Sequence, residues 1–205
     1  MAKTQPNGIA QYTTTERDSL TDVPTDEYII YNKTDGEFQN RVSSSWVNAI
    51  SGSSTVDPDM AIVVDQKAAS TYGGGFTSGA WQTRDLNTID YEKDSSSWFS
   101  LSSNQITLTA GKYLIESSAP AVEVQGHQSR LWNITDGSLI ATGSTEVSFS
   151  TETSRSLASG ILDIAGTKVI ELQHRCTNTV GTIGFGWFIA WDVNVYSMVK
   201  VTKLS

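Results

Sequence analysis

Short runs of strand-forming residues, separated by turn residues, recur along the chain from Met60 to its last strand-like segment. The run QITLT places Ile106 and Leu108 on one face of a strand, and KYLIESSA follows the turn at Ala110 and Gly111. Alternation with a period of two, interrupted by regularly spaced turns, predicts an all-β sandwich. Helix-forming residues never accumulate over a sustained window, which favours sheets over long helices.

The second half of the chain contains two predicted hairpins between a first and a last strand. SRLWNI runs to the turn at Asp136 and Gly137, and SLIATG returns from it. GILDI and KVIELQHR flank a second turn at Ala165 and Gly166. MAIVVDQ opens the region as an apolar strand and VYSMVKVTKL closes it.

Composition excludes several classes of protein. With 205 residues, of which 38% are hydrophobic, the chain is long enough to bury a core. The net charge of -8 argues against nucleic-acid binding, and the single cysteine, Cys176, excludes an intrachain disulfide. The first residues lack the apolar region of a signal peptide, and no apolar run approaches the roughly 18 residues of a membrane span. We therefore expect a soluble chain with no membrane insertion.

A polar segment with the sequence SGSSTVDPD divides the chain into two patterned regions. It predicts a linker over residues 51–59, with an N-terminal module over residues 1–50 and the β-domain over residues 60–205.

The N-terminal module is predicted to contain one short helix and three strands. Thr15 and Asp18 have the spacing of a helix-capping pair. EYIIY, EFQNRV and WVNAI follow as a β-meander, and Gly36 in the first turn tolerates a positive φ. Because a meander of this size is unstable alone in water, we expect it to pack against copies of itself or against another surface.

Four features of the β-domain occur in order along the chain: the apolar first strand, the glycine-rich TYGGGFTSGAW, the L-x-A-G-x-Y step from Leu108 to Tyr113, and GFGWF before the last strand. In these features the domain resembles the C1q/TNF-like jelly roll found in bacteriophage structural proteins. It implies a two-sheet sandwich that forms a homotrimer, with aromatic and aliphatic side chains at the threefold axis. Following this resemblance, we predict a trimer interface that includes Phe185, Trp187, Phe188, Tyr196 and Met198.

The N-terminal module is similar to the virion-anchoring segment of tail and fibre proteins of tailed bacteriophages. The match has the form T-T-x-x-R-D, followed by I-I-Y-N and then S-W, and it covers most of residues 12–50. It implies attachment to the particle through residues that include Thr15, Arg17, Asp18, Ile29, Tyr31, Asn32 and Trp46.

A search for chemistry in the sequence finds weak candidates. His127 and His174 lack metal-binding spacing and are expected to be ordinary surface or strand histidines. The acidic residues in the loop around 90–94 could bind calcium, but we expect them to be exposed to solvent instead. His174 and Cys176 lie on the same face of one strand, where a half-buried thiol is more ordinary than a nucleophile. We expect no enzyme activity, no catalytic residue, no metal and no cofactor.

Two functions remain open at this stage. In the first, the chain is a homotrimeric capsid decoration protein or short head fibre, attached to the major capsid protein or another virion structural protein. In the second, it is a receptor-binding tail-fibre knob whose exposed aromatic residues contact a host surface glycan or protein, with Trp81 and Trp98 as candidates. Either way, we expect synthesis in the bacterial host cytoplasm and residence on the virion surface. No heptad or shaft repeat separates the two parts, which favours decoration.

Overall fold

The protein is described here by a computed structural model, and the chain divides into two units, Met1–Asp57 and Pro58–Ser205. Most of the predicted linker, residues 51–59, lies outside the residues that the structure describes. The described residues are 3–4, 10–20, 29–42, 45–48, 58–93 and 97–205.

The described residues of the N-terminal unit form a five-stranded sheet and one short helix. The elements are β1 Lys3–Thr4, β2 Ala10–Tyr12, α1 Thr14–Asp18, β3 Ile29–Asn32, β4 Glu37–Val42 and β5 Ser45–Asn48. The strands lie in the order β1-β2-β3-β4-β5, and β2 runs parallel to β3 while the other neighbours are antiparallel. The predicted meander, β3 to β5, is confirmed, whereas the sequence did not indicate β1 and β2.

The N-cap of helix α1 lies two residues before the predicted cap. Thr13, not Thr15, is the N-cap: its side chain accepts a hydrogen bond from the Glu16 amide, and the Glu16 carboxylate accepts one from the Thr13 amide. This reciprocal arrangement satisfies two amides of the first turn. Thr15 lies inside the helix, so the prediction that Thr15 pairs with Asp18 as the cap was wrong.

A small core holds the N-terminal unit together. Tyr12 and Ile30 are buried on neighbouring strands, and Leu20 and Trp46 pack against them. A core of this size contributes little stability alone.

The second unit contains eleven strands in two sheets, and the structure describes almost all of it. The strands are β6 Met60–Lys67, β7 Gln82–Thr83, β8 Thr88–Lys93, β9 Phe99–Ser102, β10 Gln105–Leu108, β11 Gly111–Val122, β12 Gln125–Asn133, β13 Ser138–Ser148, β14 Thr153–Ile164, β15 Lys168–Cys176 and β16 Asn194–Lys203.

The strand order identifies a jelly roll. One sheet has the order β14-β11-β16-β6-β8, and the other has the order β13-β12-β15-β10-β9 with the short β7 beside β15. Four antiparallel pairs are nested within one another along the chain: β6 with β16, β10 with β15, β11 with β14, and β12 with β13. This wrapping of a folded-over chain into two packed sheets defines the jelly-roll sandwich. The fold is therefore all-β, as predicted.

The pairing confirms one predicted hairpin and corrects the other. Strands β12 and β13 pair across the turn at Gly137, which adopts a φ of 61°. Strands β14 and β15 do not pair, because the segment around Ala165 and Gly166 carries the chain from one sheet to the other. The hairpin predicted there was wrong: β14 and β15 belong to different sheets, and the alternation of side chains along each strand is the same in either arrangement.

The main core lies between the inner faces of the two sheets. Trp98, 1% exposed, stacks on Tyr113 at a centroid distance of 5.7 Å, among buried aliphatic residues such as Ile115, Leu131 and Leu172. A satellite cluster around Phe76, Ala121, Val124 and Cys176 lies under the long connections. Within the described residues, no helix is long and apolar enough to cross a membrane.

Candidate functional site

An exposed apolar region lies on the outward face of the sheet that contains β14, β11 and β16. Leu157, Ser118 and Met198 are directly paired across these three strands. Leu157 is 58% exposed and Met198 is 38% exposed, whereas the small Ser118 between them is nearly covered. The result is a trough of about 450 Å³ with an apolar side chain on either side. We call this surface the apolar face.

Polar and apolar side chains alternate along the apolar face. Ile161, half-exposed, continues it along β14. Between the rows of Ile161 and Leu157, the Lys200 ammonium lies 3.3 Å from the Glu116 carboxylate. Exposed contiguous apolar side chains rimmed by charges are typical of protein interfaces.

The structure separates the five residues predicted for the trimer interface into two groups. Met198 lies on the apolar face, and Trp187 is exposed beside it in a cavity of about 220 Å³ that Arg155 and Val195 also line. Phe188 is partly buried against Tyr72, with ring centroids 4.6 Å apart.

Tyr196 lies inside the protomer, so the prediction that it forms the interface was wrong, whereas Phe185 is only partly buried. Tyr196 is 4% exposed, and its hydroxyl donates to the carbonyl of Thr71 at 2.6 Å. Phe185 packs on Phe76 with a centroid distance of 4.5 Å. The burial of Tyr196 follows from a bulge in β16, which turns this side chain inward although an unbroken alternation from Met198 would place it outside.

Polar residues of the N-terminal motif form a network within their own unit. Arg17 donates from its guanidinium to the Gln39 side-chain oxygen at 2.7 Å, and Asn32, fully buried, donates to Asp35 at 2.6 Å. Asn32 also exchanges hydrogen bonds with Thr14. These contacts hold α1 on the meander, so the side chains of Arg17 and Asn32 organise the unit itself.

The other motif residues have varied positions. Asp18 pairs with Arg17 at 2.7 Å, and Tyr31 contacts Phe38 edge-on at a centroid distance of 5.3 Å. Trp46 packs on the small core. Thr15 and Ile29 are exposed, and of the motif residues they are the ones that present uncommitted surface.

Of the two tryptophans proposed as receptor contacts, only Trp81 reaches the surface. Trp98 lies in the main core, as described above, and presents no ring to a ligand, so that prediction was wrong. Trp81 lies on the outward face of the β12 and β15 sheet, where the Arg130 guanidinium carbon is 4.2 Å from its ring centroid. The same guanidinium is 3.9 Å from the Trp132 ring, so Arg130 is stacked between two indoles.

Polar side chains continue this second surface toward β10. Arg130 donates through Nε to Gln173 at 2.8 Å. The Glu171 carboxylate accepts from Thr83, Gln105 and Gln173, each at 2.8 Å. Neutral donors thus satisfy the Glu171 carboxylate, and the positively charged side chains of this surface, such as Arg130, face outward.

The two histidines lie in strands β12 and β15, in agreement with the expected strand positions, and they bond to each other. His127 Nδ1 lies 2.9 Å from His174 Nε2, and His127 Nε2 lies 2.7 Å from Ser154 Oγ. His174 Nδ1 is buried without a hydrogen-bond partner in the described chain. Because one ring must donate and the other accept, the His127 to His174 bond requires at least one neutral imidazole.

Burial makes His127 and His174 weak bases. Burial lowers the pKa of His127 to about 4, with Glu146 opposing the shift and Arg84 adding to it. Burial, Arg84 and His127 lower the pKa of His174 well below its ordinary value. Although Ser154 and His127 have the distance of a hydrolase dyad, an imidazole with this pKa is a poor general base at neutral pH.

Cys176 is equally unsuited to nucleophilic chemistry. The thiol is buried and lies 3.2 Å from the carbonyl oxygen of Asn178. Burial raises its pKa to about 11, so the thiol is protonated at neutral pH. Within the described ranges, no three histidine, cysteine, aspartate or glutamate side chains come together as a metal site would require.

Arg84 ties the GFGWF loop to the sheet beneath it. Its side chain is fully buried, donates to the carbonyls of Pro120 and Phe185 at 3.2 and 3.1 Å, and stacks on the Phe185 ring. Burial lowers the pKa of Arg84 to about 9, while Asp65 and Asp85 oppose the shift. The arginine remains charged at neutral pH and fixes the loop beside the apolar face.

Sequence reasoning missed Leu157 and Ile161 on the apolar face and Arg130 in the aromatic stack. The alternation in SRSLASGILDI contains the relevant pattern, because Leu157 and Ile161 lie on one face of a strand and Ser156, Ala158 and Gly160 on the other. An apolar row is normally assigned to the core, yet here it is the row of small residues that faces inward.

Comparisons with known proteins find only distant likenesses. No protein-family model and no curated protein matches the sequence. Murine APRIL at pH 5.0 is 8% identical, with 72% of this chain aligned to 100% of that chain at a TM-score of 0.48. The globular domain of zebrafish complement 1qA protein is 11% identical (73% and 98% aligned, TM-score 0.45). The vertex protein P5 of PRD1 is 14% identical (72% and 98% aligned, TM-score 0.43). These likenesses are distant, and the strand order alone identifies the fold.

Proposed function

We propose that this chain is a homotrimeric structural protein on the surface of a tailed-bacteriophage particle, where it decorates the capsid or forms a short head fibre. The observation that carries the proposal is the apolar face on the sheet of β14, β11 and β16. Its exposed side chains would be covered when jelly rolls associate. The N-terminal unit would attach the trimer to the major capsid protein or another virion structural protein.

The occupant that best fits the apolar face is a second copy of the chain. The trough above Ser118 is a hollow, and Leu157 and Met198 beside it are projections of similar size. Lys200 and Glu116 supply opposite charges on the same surface. A threefold ring is built from head-to-tail contacts, in which the hollow of one copy receives the projections of the next and Lys200 of one copy faces Glu116 of the other.

Attachment through the N-terminal unit rests on its similarity to phage anchoring segments and on its exposed apolar residues. Ile29 and Val47 are exposed on β3 and β5, although the unit buries few apolar side chains in its core. In a trimer, three such units bind neighbouring shell subunits together, so individually weak contacts become strong through effective concentration.

Sedimentation velocity of the full chain tests the assembly. We expect a trimer at micromolar concentration, and a monomer for the double variant Leu157→Glu, Met198→Glu, because six carboxylates would be buried at the interface. Val147→Glu, at an exposed position on the other sheet, is the matched control and should remain trimeric. A monomeric wild type, or a double variant that still forms trimers, would contradict the proposal.

Immunogold labelling of intact virions against residues 60–205 tests the location. Gold over the whole head supports decoration, and gold confined to the tail supports the receptor-binding knob instead. One observation favours that second function: the stack of Trp81, Arg130 and Trp132 lies on the sheet opposite the apolar face. Assembly through the apolar face would leave the stack accessible.

A further inference from the structure

A cavity of about 310 Å³ opens beside the aromatic stack, on the surface that the assembly proposal leaves free. This volume is at the lower end of the range for sites that bind small molecules. Its lining includes Trp81, Gln128, Thr145, Arg175 and Thr177. One aromatic ring, one guanidinium, one amide and two hydroxyls therefore converge on one space. We call this space the Trp81 cavity.

Strand register brings the polar residues together. Gln128 on β12 pairs with Thr145 on β13 and with Arg175 on β15, so the three side chains form one row across the sheet. The Gln128 amide donates to Thr145 Oγ1 and to the carbonyl of Gly143, both at 3.0 Å. These bonds fix the amide, and in the described chain its side-chain oxygen accepts no hydrogen bond.

The indole wall of the cavity is held in place before any ligand arrives. Arg130 stacks on Trp81 and is itself fixed by Trp132 and by the hydrogen bond to Gln173. An aromatic ring that is already ordered loses little conformational freedom on binding. The apolar C–H face of a sugar ring packs on such a wall, while the sugar hydroxyls bond to neighbouring polar groups.

Arg175 gives the cavity its charge preference. The side chain is exposed, and among the residues that the structure describes it makes no hydrogen bond or ion pair. The carboxylate on this face, Glu171, is occupied by three neutral donors. A planar guanidinium without a partner matches a carboxylate through two parallel hydrogen bonds.

We propose that the Trp81 cavity binds an acidic pyranose, such as a hexuronic acid residue of a surface polysaccharide. Trp81 packs against the ring, Arg175 binds the carboxylate, and Gln128, Thr145 and Thr177 bond to hydroxyls. This site goes beyond the proposed structural function and does not depend on it, because no residue of the apolar face contributes to the cavity.

Three probes separate the parts of this recognition in the full-length protein. Methyl β-glucuronide carries ring and carboxylate, methyl β-glucoside carries the ring alone, and acetate carries the carboxylate alone. Titrations followed by the indole N–H resonances of the six tryptophans should show saturable shifts of Trp81 with the glucuronide. We expect the glucoside and acetate to bind at least about tenfold more weakly, since each lacks one charge-assisted or ring contact.

Variants identify the residues responsible. Arg175→Gln should reduce glucuronide affinity to that of the glucoside, Arg175→Lys should retain part of the preference, and Trp81→Ala should abolish binding of both sugars. Trp191→Ala is the matched control, because Trp191 is 87% exposed and lies outside the cavity. The Trp98 resonance reports on the intact core in each variant.

Several results would overturn the inference: no saturable shift with the glucuronide, equal affinity for the two glycosides, or an Arg175→Gln variant that binds like the wild type. Binding should also weaken as salt is raised, because the Arg175 contact is exposed. Sedimentation of the same samples keeps the two proposals separate. A trimer that binds no acidic sugar refutes the cavity alone, and a monomer that binds it refutes the assembly alone.

Discussion

His127 and His174 show at the level of single residues how burial sets protonation. An unfolded chain protonates His127 near its ordinary pKa of 6.5, whereas the folded protein does so only near 4. Between these values the unfolded state binds the additional proton, so folding stability falls as pH is lowered through this window and levels off below it. For His127 the difference corresponds to at most about 3 kcal/mol.

NMR of the imidazole resonances checks this prediction directly, because the chain has two histidines. We expect both rings to stay neutral at pH 5.5 in the folded protein. Urea unfolding should show a loss of stability between pH 6.5 and 4 that is smaller in His127→Gln, since glutamine keeps polar partners without a titrating ring. A His127 midpoint near 6.5 would contradict the prediction.

Sequence reasoning stopped short of these residues for a physical reason. Spacing along one strand does not show that β12 and β15 are neighbours, and their pairing is what places His127 beside His174. The same pairing creates the row of Gln128 and Arg175 in the Trp81 cavity. Trp81 itself was a candidate from the sequence. Arg130, which orders the Trp81 ring, lies in β12, far from Trp81 along the chain. Contacts between distant segments carry no local pattern.

At the level of elements, the cap of α1 is a local feature that can be tested alone. Thr13→Ala should destabilise the helix by about 1 kcal/mol, because it removes the acceptor for the Glu16 amide. This corresponds to roughly fivefold faster hydrogen exchange of the α1 amides. Thr15→Ala is the matched control and should leave exchange nearly unchanged, and the opposite order of effects would restore Thr15 as the cap.

Strands β13 and β14 approach each other closely where the two sheets meet, and Gly143 permits this approach. A Cβ at Gly143 would overlap Ser129 Oγ and lie 2.7 Å from Ser156 Oγ. Ser156 in turn donates to the carbonyl of Ser144 at 2.7 Å, so it has little room to move. This crowding explains why β14 turns its small residues inward and leaves Leu157 outside.

We therefore expect Gly143→Ala to destabilise the protein by about 1–3 kcal/mol through overpacking. Gly166→Ala is the control, because nothing lies within 4 Å of a Cβ there. Urea denaturation at neutral pH measures both changes. Equal stabilities for the two variants would show that the sheets can separate at this edge without cost.

At the level of elements, the sequence predicted what repeats locally and missed what the topology decides. Eight strands of the β-domain, the hairpin at Gly137 and the short helix follow from alternation, turn residues and capping. The sequence did not indicate β7 and β9, and the loop predicted around residues 90–94 was wrong, because Asp90 and Glu92 lie in β8. The error at Ala165 arose because a sheet crossing and a hairpin have the same turn residues. The assignment of Tyr196 failed because one bulge in β16 reverses the direction of the side chains that precede it.

For the whole molecule, self-association should be visible in its thermal stability. If the apolar face binds second copies, the wild-type Tm should rise with protein concentration, because association stabilises only the folded chain. The double variant Leu157→Glu, Met198→Glu should show a Tm that is independent of concentration, while Val147→Glu behaves like the wild type. Scanning calorimetry over about a hundredfold range of concentration distinguishes these cases.

Strand β16 lies in the middle of its sheet, between β11 and β6, although it is the last strand of the chain. Until residues 194–203 have left the ribosome, β6 and β11 have no strand between them and the core stays open to water on one side. The jelly roll therefore closes only after residues 194–203 have been synthesised. If copies associate through the apolar face, they do so as closed jelly rolls, because that face includes Met198 of β16.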